Sequence, residues 1–284
     1  MDLIEIIKSI FFGIVQGITE WLPISSTGHM ILLSEFVNLR QSDEFKEMFE
    51  VVIQLGSIMA VVVLYFKKLW PFSTRKSKES GGKIINMDIM TMWFKVLVAC
   101  IPAAVIGLFF DDFLHSLFYN SVCVSIALIV VGILFIVLEN KNKNARPRVK
   151  TIDEITYLDA LIIGVCQVFA AVFPGTSRSG ATIMGSLAIG IKREIAAEFT
   201  FFLAVPVMFG ASLLKVVKFG LDFSGSQLAI LAVAMITAFV TSLLVIRFLM
   251  GYIKKHDFKV FGWYRIVLGI LVIGYFTLRN TVFA

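Results

Sequence analysis

Pro174-Gly175-Thr176-Ser177-Arg178-Ser179-Gly180-Ala181-Thr182 packs one guanidinium and four hydroxyls into nine residues of an otherwise apolar region. An arginine at the centre of a membrane helix costs about 2.5–3.5 kcal/mol on insertion scales. Such a residue therefore faces a cavity and a partner rather than lipid. Pro174 and Gly175 break the helix, and the break frees backbone N–H groups to point at an anion. Arg178 and the hydroxyls of Thr176, Ser177, Ser179 and Thr182 stand beside them. Read chemically, the stretch is a phosphate cradle. The bland reading of the same residues is an arginine snorkelling from a helix end beside an ordinary Pro-Gly turn.

The solvent around this stretch is set by composition. Hydrophobic residues make up 58% of the 284, charged residues 16%, and mean hydropathy is +0.88, well outside the soluble globular range. The chain reads as an all-α polytopic membrane bundle forming one membrane domain. Met1-Asp2-Leu3-Ile4-Glu5 has no basic run, so no removable signal peptide is expected. Cys100, Cys123 and Cys166 are scattered through apolar runs and suit small buried hydrophobes better than a disulfide framework or metal cluster.

The apolar runs on either side of the cradle, 160–173 and 179–191, are each too short to span a bilayer, which takes about 20 residues. A similar short pair opens the chain. Residues 9–19 are apolar and end at Glu20; Pro23 and the polar run Ser25-Ser26-Thr27-Gly28-His29 follow, then Met30 to Leu33. Each pair is expected to be a re-entrant helical hairpin whose break is held inside protein. Spanning helices are expected at 49–66, 90–110, 118–138, 195–218, 227–249 and 260–279.

Loop charge orients the set. Residues 67–83 hold Lys67, Lys68, Arg75, Lys76, Lys78 and Lys83 against Glu79 alone, and residues 141–150 hold Lys141, Lys143, Arg146, Arg148 and Lys150. Two spans separate these loops, and an excess of Lys and Arg marks the cytoplasmic side. The loop with Lys254, Lys255 and Lys259 falls there by counting. Loops around Asp43, Glu44 and Glu47, and around Asp111 and Asp112, fall outside, as do both termini. The net charge of +6 is thus topology-setting charge rather than a nucleic-acid footprint.

The two short pairs also resemble each other. At an offset of 151, Gly13 aligns with Gly164, Gln16 with Gln167, Pro23 with Pro174 and Ser26 with Ser177. Three spans follow each hairpin, so the second copy lies upside down relative to the first. The expected organisation is two inverted repeats, about 1–140 and 156–284, whose polar breaks meet near the midplane as in many transporters.

Together the breaks hold the parts of a phosphate-ester hydrolase. Arg178 and the freed amides neutralise charge on the equatorial oxygens. Ser25, Thr27, Thr176, Ser177, Ser179 and Thr182 supply further phosphate-binding hydroxyls. Glu20, one helical turn from Gln16, would hold a hard divalent cation with the neutral Gln16 oxygen. His29 suits a general acid or base acting on Ser26 or on water. The structural alternatives are a buried Glu20–Arg178 ion pair of small net stability and helix-capping roles for His29, Ser25, Ser26 and Thr27.

At these residues the chain resembles the undecaprenyl-pyrophosphate phosphatases, also called the bacitracin-resistance protein family. The resemblance is carried by Gln16-Gly17-Ile18-Thr19-Glu20 as an (E/Q)xxxE motif and by Pro174 to Thr182 as a PGxSRSxxT motif. Leu22-Pro23-Ile24-Ser25-Ser26-Thr27-Gly28-His29 and Phe49-Glu50-Val51-Val52-Ile53-Gln54-Leu55-Gly56-Ser57 are also similar to family segments. It implies an integral enzyme of the bacterial cell membrane that removes the terminal phosphate of undecaprenyl pyrophosphate. The lipid carrier for peptidoglycan synthesis is thereby recycled, and abundance confers bacitracin resistance. The resemblance further implies a Mg²⁺ or Ca²⁺ requirement, an active site open to the outer face, an inverted-repeat fold and, often, a homodimer. Glu20 takes the place of the essential acid, and Gln16 that of a frequent second glutamate. His29, Ser26, Ser177, Arg178 and Thr182 take other active-site places. Ser26 assisted by His29 is the first choice of nucleophile; a histidine nucleophile and a directly attacking water fit the same residues. A transporter or flippase for a phosphate-bearing polyprenyl lipid is the competing class. The repeats and the cradle suit it, but a carrier has no need of a nucleophilic hydroxyl and a metal-binding carboxylate beside its anion.

Overall fold

The computed structural model of the chain describes residues 2–72, 85–118 and 120–282, without the side chains of residues 111, 112, 115 and 280–282. Arg75, Lys76, Lys78, Glu79 and Lys83 of the first basic loop, and the side chains of Asp111 and Asp112, therefore lie outside the described residues. What is described is helical, with no strand beyond two isolated bridges. Among the described residues, six stretches are long and apolar enough to cross a membrane: Asp43–Leu64, Met87–Phe110, Ser121–Lys141, Arg193–Phe219, Gly225–Tyr252 and Lys259–Arg279. The chain is a multi-pass membrane protein.

The first helices are α1 (Leu3–Thr19), α2 (Ser26–Phe36), α3 (Asp43–Val52), α4 (Gln54–Leu64) and α5 (Phe66–Leu69). Then come α6 (Met87–Phe118), α7 (Ser121–Lys141), α8 (Tyr157–Val172) and α9 (Arg178–Ala188). The chain closes with α10 (Arg193–Phe219), α11 (Gly225–Tyr252) and α12 (Lys259–Val282). Three of the boundaries that differ from the sequence reading have a local cause or consequence. The polar run Ser26 to His29 is the first turn of α2 rather than loop, because Ser25 caps the helix by accepting from the Gly28 N–H. The first span begins at Asp43 rather than 49, since Ser42 caps it and Asp43 and Glu44 suit the positive end of the helix. Residues 111–118 continue α6 instead of forming a loop.

Helix faces follow the bilayer. On α1, Ser9, Phe12, Gly13, Gln16 and Gly17 are buried, while Leu3, Ile7, Phe11, Ile14 and Ile18 are exposed. Without a hydrophobic drive between helices in lipid, small residues let backbones approach. Gly13 sets α1 on α11 at the Ala234 carbonyl, and Gly164 sets α8 on α6 at the Ala99 carbonyl. Gly132 of α7 and Gly262 of α12 meet reciprocally, each backbone oxygen within 2.8 Å of where the other's Cβ would stand. At the chain's other polar layer, Glu139 on α7 receives Arg193 of α10 and the Phe258 N–H, joining three segments.

Gly56 gives a direct test of this packing. A Cβ there would overlap the Met235 carbonyl of α11. Gly56→Ala should destabilise the protein by about 1–3 kcal/mol, the usual cost of overpacking, seen as a lowered thermal midpoint in detergent. Gly107→Ala, with nothing within 4 Å of its Cβ, should hold or raise the midpoint, since alanine is about 1 kcal/mol better than glycine inside a helix.

Candidate active site

α1 and α8 are 17 and 16 residues long and end at the Pro23 and Pro174 breaks. The helices that follow start from the same unusual cap. Ser25 (φ 73°) and Ser177 (φ 71°) are the non-glycine residues with positive φ among the described residues. Each accepts from the N–H three residues on, at Gly28 and Gly180. Positive φ at a side-chain-bearing residue costs about 1–3 kcal/mol and persists only where its surroundings fix it. The second break carries one residue more between proline and capping serine, so Ser25 rather than Ser26 answers Ser177.

Arg265 of α12 fixes both breaks. It is fully buried, and its guanidinium donates to the Pro23 carbonyl at 3.1 Å and to the Gly175 and Thr176 carbonyls at 2.7 and 2.8 Å. Ser179, also buried, donates to the Glu20 carbonyl at 3.2 Å. The two helix breaks, 158 residues apart in the chain at Glu20 and Arg178, are thus one locus. The N-termini of α2 and α9 both open there, and each adds a partial positive charge.

At the junction Arg178 Nη2 donates to Glu20 Oε1 at 2.9 Å, and Nη1 to the Thr200 carbonyl at 3.1 Å. The other Glu20 oxygen accepts from Gln16 Nε2 at 2.8 Å and from Ser26 Oγ at 3.0 Å. Glu20 is 4% exposed, so this carboxylate is buried, paired and hydrogen-bonded on both oxygens, as a buried charge requires. It holds the Ser26 hydroxyl by its proton, the arrangement needed to take that proton away.

His29 lies beside this pair without joining it. Its Nδ1 is 2.7 Å from the Ser25 carbonyl, one turn back on α2, and its Nε2 is 2.7 Å from the Tyr264 hydroxyl. A carbonyl only accepts, so in the neutral ring Nδ1 carries the proton and Nε2 accepts from Tyr264. The Tyr264 and His29 rings stack at 5.6 Å. Ser26 donates to Glu20, while the imidazole turns back along its own helix to the Ser25 carbonyl. Thr182 is turned inward to the Thr200 hydroxyl at 2.9 Å, Thr176 is held through its carbonyl, and Ser177 caps α9 with its Oγ 3.1 Å from that of Ser179. Thr27 is half-buried in the first turn of α2.

Among the described residues no three His, Cys, Asp or Glu groups gather as a ready metal cage. The donor set at Glu20 is one carboxylate plus the Gln16 amide, which turns its NH₂ toward that carboxylate. That is too sparse for the six to eight oxygens of a Ca²⁺ cage; it matches the way Mg²⁺ binds, through one or two carboxylates plus substrate phosphates and water.

The bacitracin resistance protein BacA family model matches residues 9–271. The chain belongs to this family. It is 58% identical over 282 residues to an undecaprenyl-diphosphatase of Desulfitobacterium hafniense, covering 99% of this chain and all of that protein. It is 59% identical over 276 residues to undecaprenyl-diphosphatase 1 of Clostridium acetobutylicum, covering 97% and 99% of the two chains. An undecaprenyl-diphosphatase of Acetivibrio thermocellus is 60% identical over 274 residues, covering 96% and 98%. The likeness carried by these motifs and segments runs end to end.

Two residues that touch this locus were missed by motif reading, Tyr264 and Arg265. The signal existed. Arg265 sits inside the apolar run 260–279, and the cost argument that singled out Arg178 applies to it unchanged.

Proposed function

We propose that this protein is an integral membrane undecaprenyl-diphosphatase: it hydrolyses undecaprenyl diphosphate to undecaprenyl phosphate and inorganic phosphate, returning the carrier lipid to cell-wall synthesis. The observation that carries the reading is the Ser26–Glu20–Arg178 chain of contacts, a polar locus buried between apolar helices in a chain homologous end to end with proteins named for that activity. The terminal phosphate binds at Arg178 and the two helix N-termini. The incoming anion competes for the guanidinium and releases Glu20 as a proton acceptor. The Ser26 hydroxyl, or a water in its place, attacks the terminal phosphorus and gives its proton to Glu20. The bond to the bridging oxygen breaks, and undecaprenyl phosphate leaves with the electron pair. If Ser26 attacks, a water then frees the phosphoserine. Glu20, with the Gln16 amide, would share a Mg²⁺ with the diphosphate, and the cation would neutralise charge on the phosphate oxygens.

The finer topology belongs to the same proposal. α1–α2 and α8–α9 are re-entrant hairpins in two inverted repeats. The reading is supported by the matching caps at Ser25 and Ser177, by the paired contacts of Gly13 and Gly164, and by the reciprocal Gly132–Gly262 contact. The basic loops at 141–150 and 254–259 support an orientation with those ends in the cytoplasm of a bacterial cell, both termini outside and the site open to the outer face.

The test is phosphate release from undecaprenyl diphosphate by the purified protein, with Mg²⁺, with Ca²⁺ and with a chelator. Release that is cation-dependent, faster with Mg²⁺, and abolished in Glu20→Ala is expected. No release from folded protein with either cation would sink the hydrolase reading.

A further inference from the structure

A cavity of about 620 Å³ lies between α6, α8 and α10. Its walls are small or apolar, among them Gly107, Pro206 and Gly210, and Lys215 lies at the end nearer the C-terminus of α10. From Pro206 to Lys215 the wall is roughly 13 Å long at 1.5 Å per helical residue. Two polar residues of its lining, Gln167 and Arg178, carry buried atoms without a hydrogen-bond partner: both ends of the Gln167 amide and the Arg178 Nε. Gln167 is 2% exposed. A buried polar group left unpaired costs about 1–3 kcal/mol, so these atoms favour a donor or acceptor that enters the cavity beside them.

The sequence explains why Gln167 is left over. It stands 151 residues after Gln16, whose amide is satisfied by Glu20. The position 151 after Glu20 is Ala171, which also lines the cavity. The alanine removes the amide's partner and leaves space in its place. Ala171 therefore does for the cavity what Glu20 does for the hydrolytic centre, by opposite means.

We infer that this cavity takes the chain-bearing end of a prenyl phosphate. The ester phosphate, the one retained in the product, binds the Gln167 amide N–H and the Arg178 Nε. The first isoprene units lie along Gly107, Pro206 and Gly210. Arg178 then serves both halves of the diphosphate, since its Nη2 already reaches Glu20. The inference rests on the diphosphatase reading for its choice of lipid.

The experiment is equilibrium binding of radiolabelled undecaprenyl phosphate and of undecaprenol to purified protein in detergent, with inhibition by inorganic phosphate measured alongside. Gln167→Leu keeps volume and removes the amide, so its thermal midpoint should hold or rise. It should weaken undecaprenyl phosphate binding about tenfold or more, the scale of a lost hydrogen bond to a charged group, and leave undecaprenol binding and phosphate inhibition unchanged. Gly210→Leu fills space that is open around its Cβ and should weaken both lipids but not inorganic phosphate. Wild-type binding of undecaprenyl phosphate by both variants would overturn the inference, as would an equal loss of undecaprenol in Gln167→Leu. Wild-type protein that bound the lipids in the expected pattern yet released no phosphate would overturn the hydrolase reading and leave the subsite standing.

Discussion

Arg178→Ala should lower kcat/KM for undecaprenyl diphosphate by at least 10²–10³-fold, the cost of removing one preorganised donor from a developing oxyanion. The larger figure is expected here because the guanidinium is a full charge in a buried site, with its side chain 12% exposed. Stability should fall as well. Glu20 has one oxygen on Arg178 and the other on Gln16 and Ser26. Removing the cation strands a buried carboxylate, and breaking such a pair costs about 3–5 kcal/mol. The two effects separate in a double variant. Glu20→Gln with Arg178→Ala should recover most of the thermal midpoint, because the stranded charge is gone, while phosphate release stays lost. Arg178→Lys should be a partial rescue: one ammonium cannot hold Glu20, the Thr200 carbonyl and a phosphate with the geometry of a planar fork. Near-normal release by Arg178→Ala would remove the phosphate-binding role and leave the ion pair as scaffolding.

The residues that made this site legible were those whose presence in an apolar chain has a cost. Arg178 and Glu20 stand out because lipid does not tolerate them unpaired, and the structure joins them to each other. Pro23 and Pro174 stand out because they end helices too short to span. The hydroxyls were harder, because a serine or threonine in a helix can bond its own backbone at little cost. Ser179 and Thr182 are turned to the Glu20 carbonyl and to Thr200, and nothing in their spacing distinguishes a scaffold hydroxyl from a phosphate-binding one. His29 shows the same limit. A histidine three residues past Ser26 reads as its partner, but the imidazole has a nearer acceptor one turn back. The helix ends moved for a related reason. Apolar runs report where lipid is, whereas α2 and α3 begin at their capping serines, outside the apolar runs. Gln167 and its lost partner could be named from the repeat, since Ala171 stands where the repeat of Glu20 would fall; the cavity beside it could not, because α6 and α10 build its other walls.

Arg265→Met should be nearly as damaging as Arg178→Ala, although Arg265 makes none of its described hydrogen bonds to a catalytic side chain. Its three hydrogen bonds end on carbonyls of two different breaks. Methionine fills the volume and removes a buried charge, which alone is neutral or favourable. The carbonyls of Pro23, Gly175 and Thr176 remain, however, and each loses its donor at about 1–3 kcal/mol. The clasp also holds the break after Glu20 against the break before Arg178, and a misplacement of about 1 Å can cost 10²-fold. The expected result is a lowered thermal midpoint together with a fall in kcat larger than any change in KM, since each break keeps its own side chains. Arg265→Lys should recover part of the stability and little of the rate, because one ammonium reaches the carbonyls of one break but not both. A variant that unfolds more easily yet turns over at the wild-type rate while folded would make Arg265 a packing residue. A loss confined to kcat makes it the residue that aligns the two halves of the site.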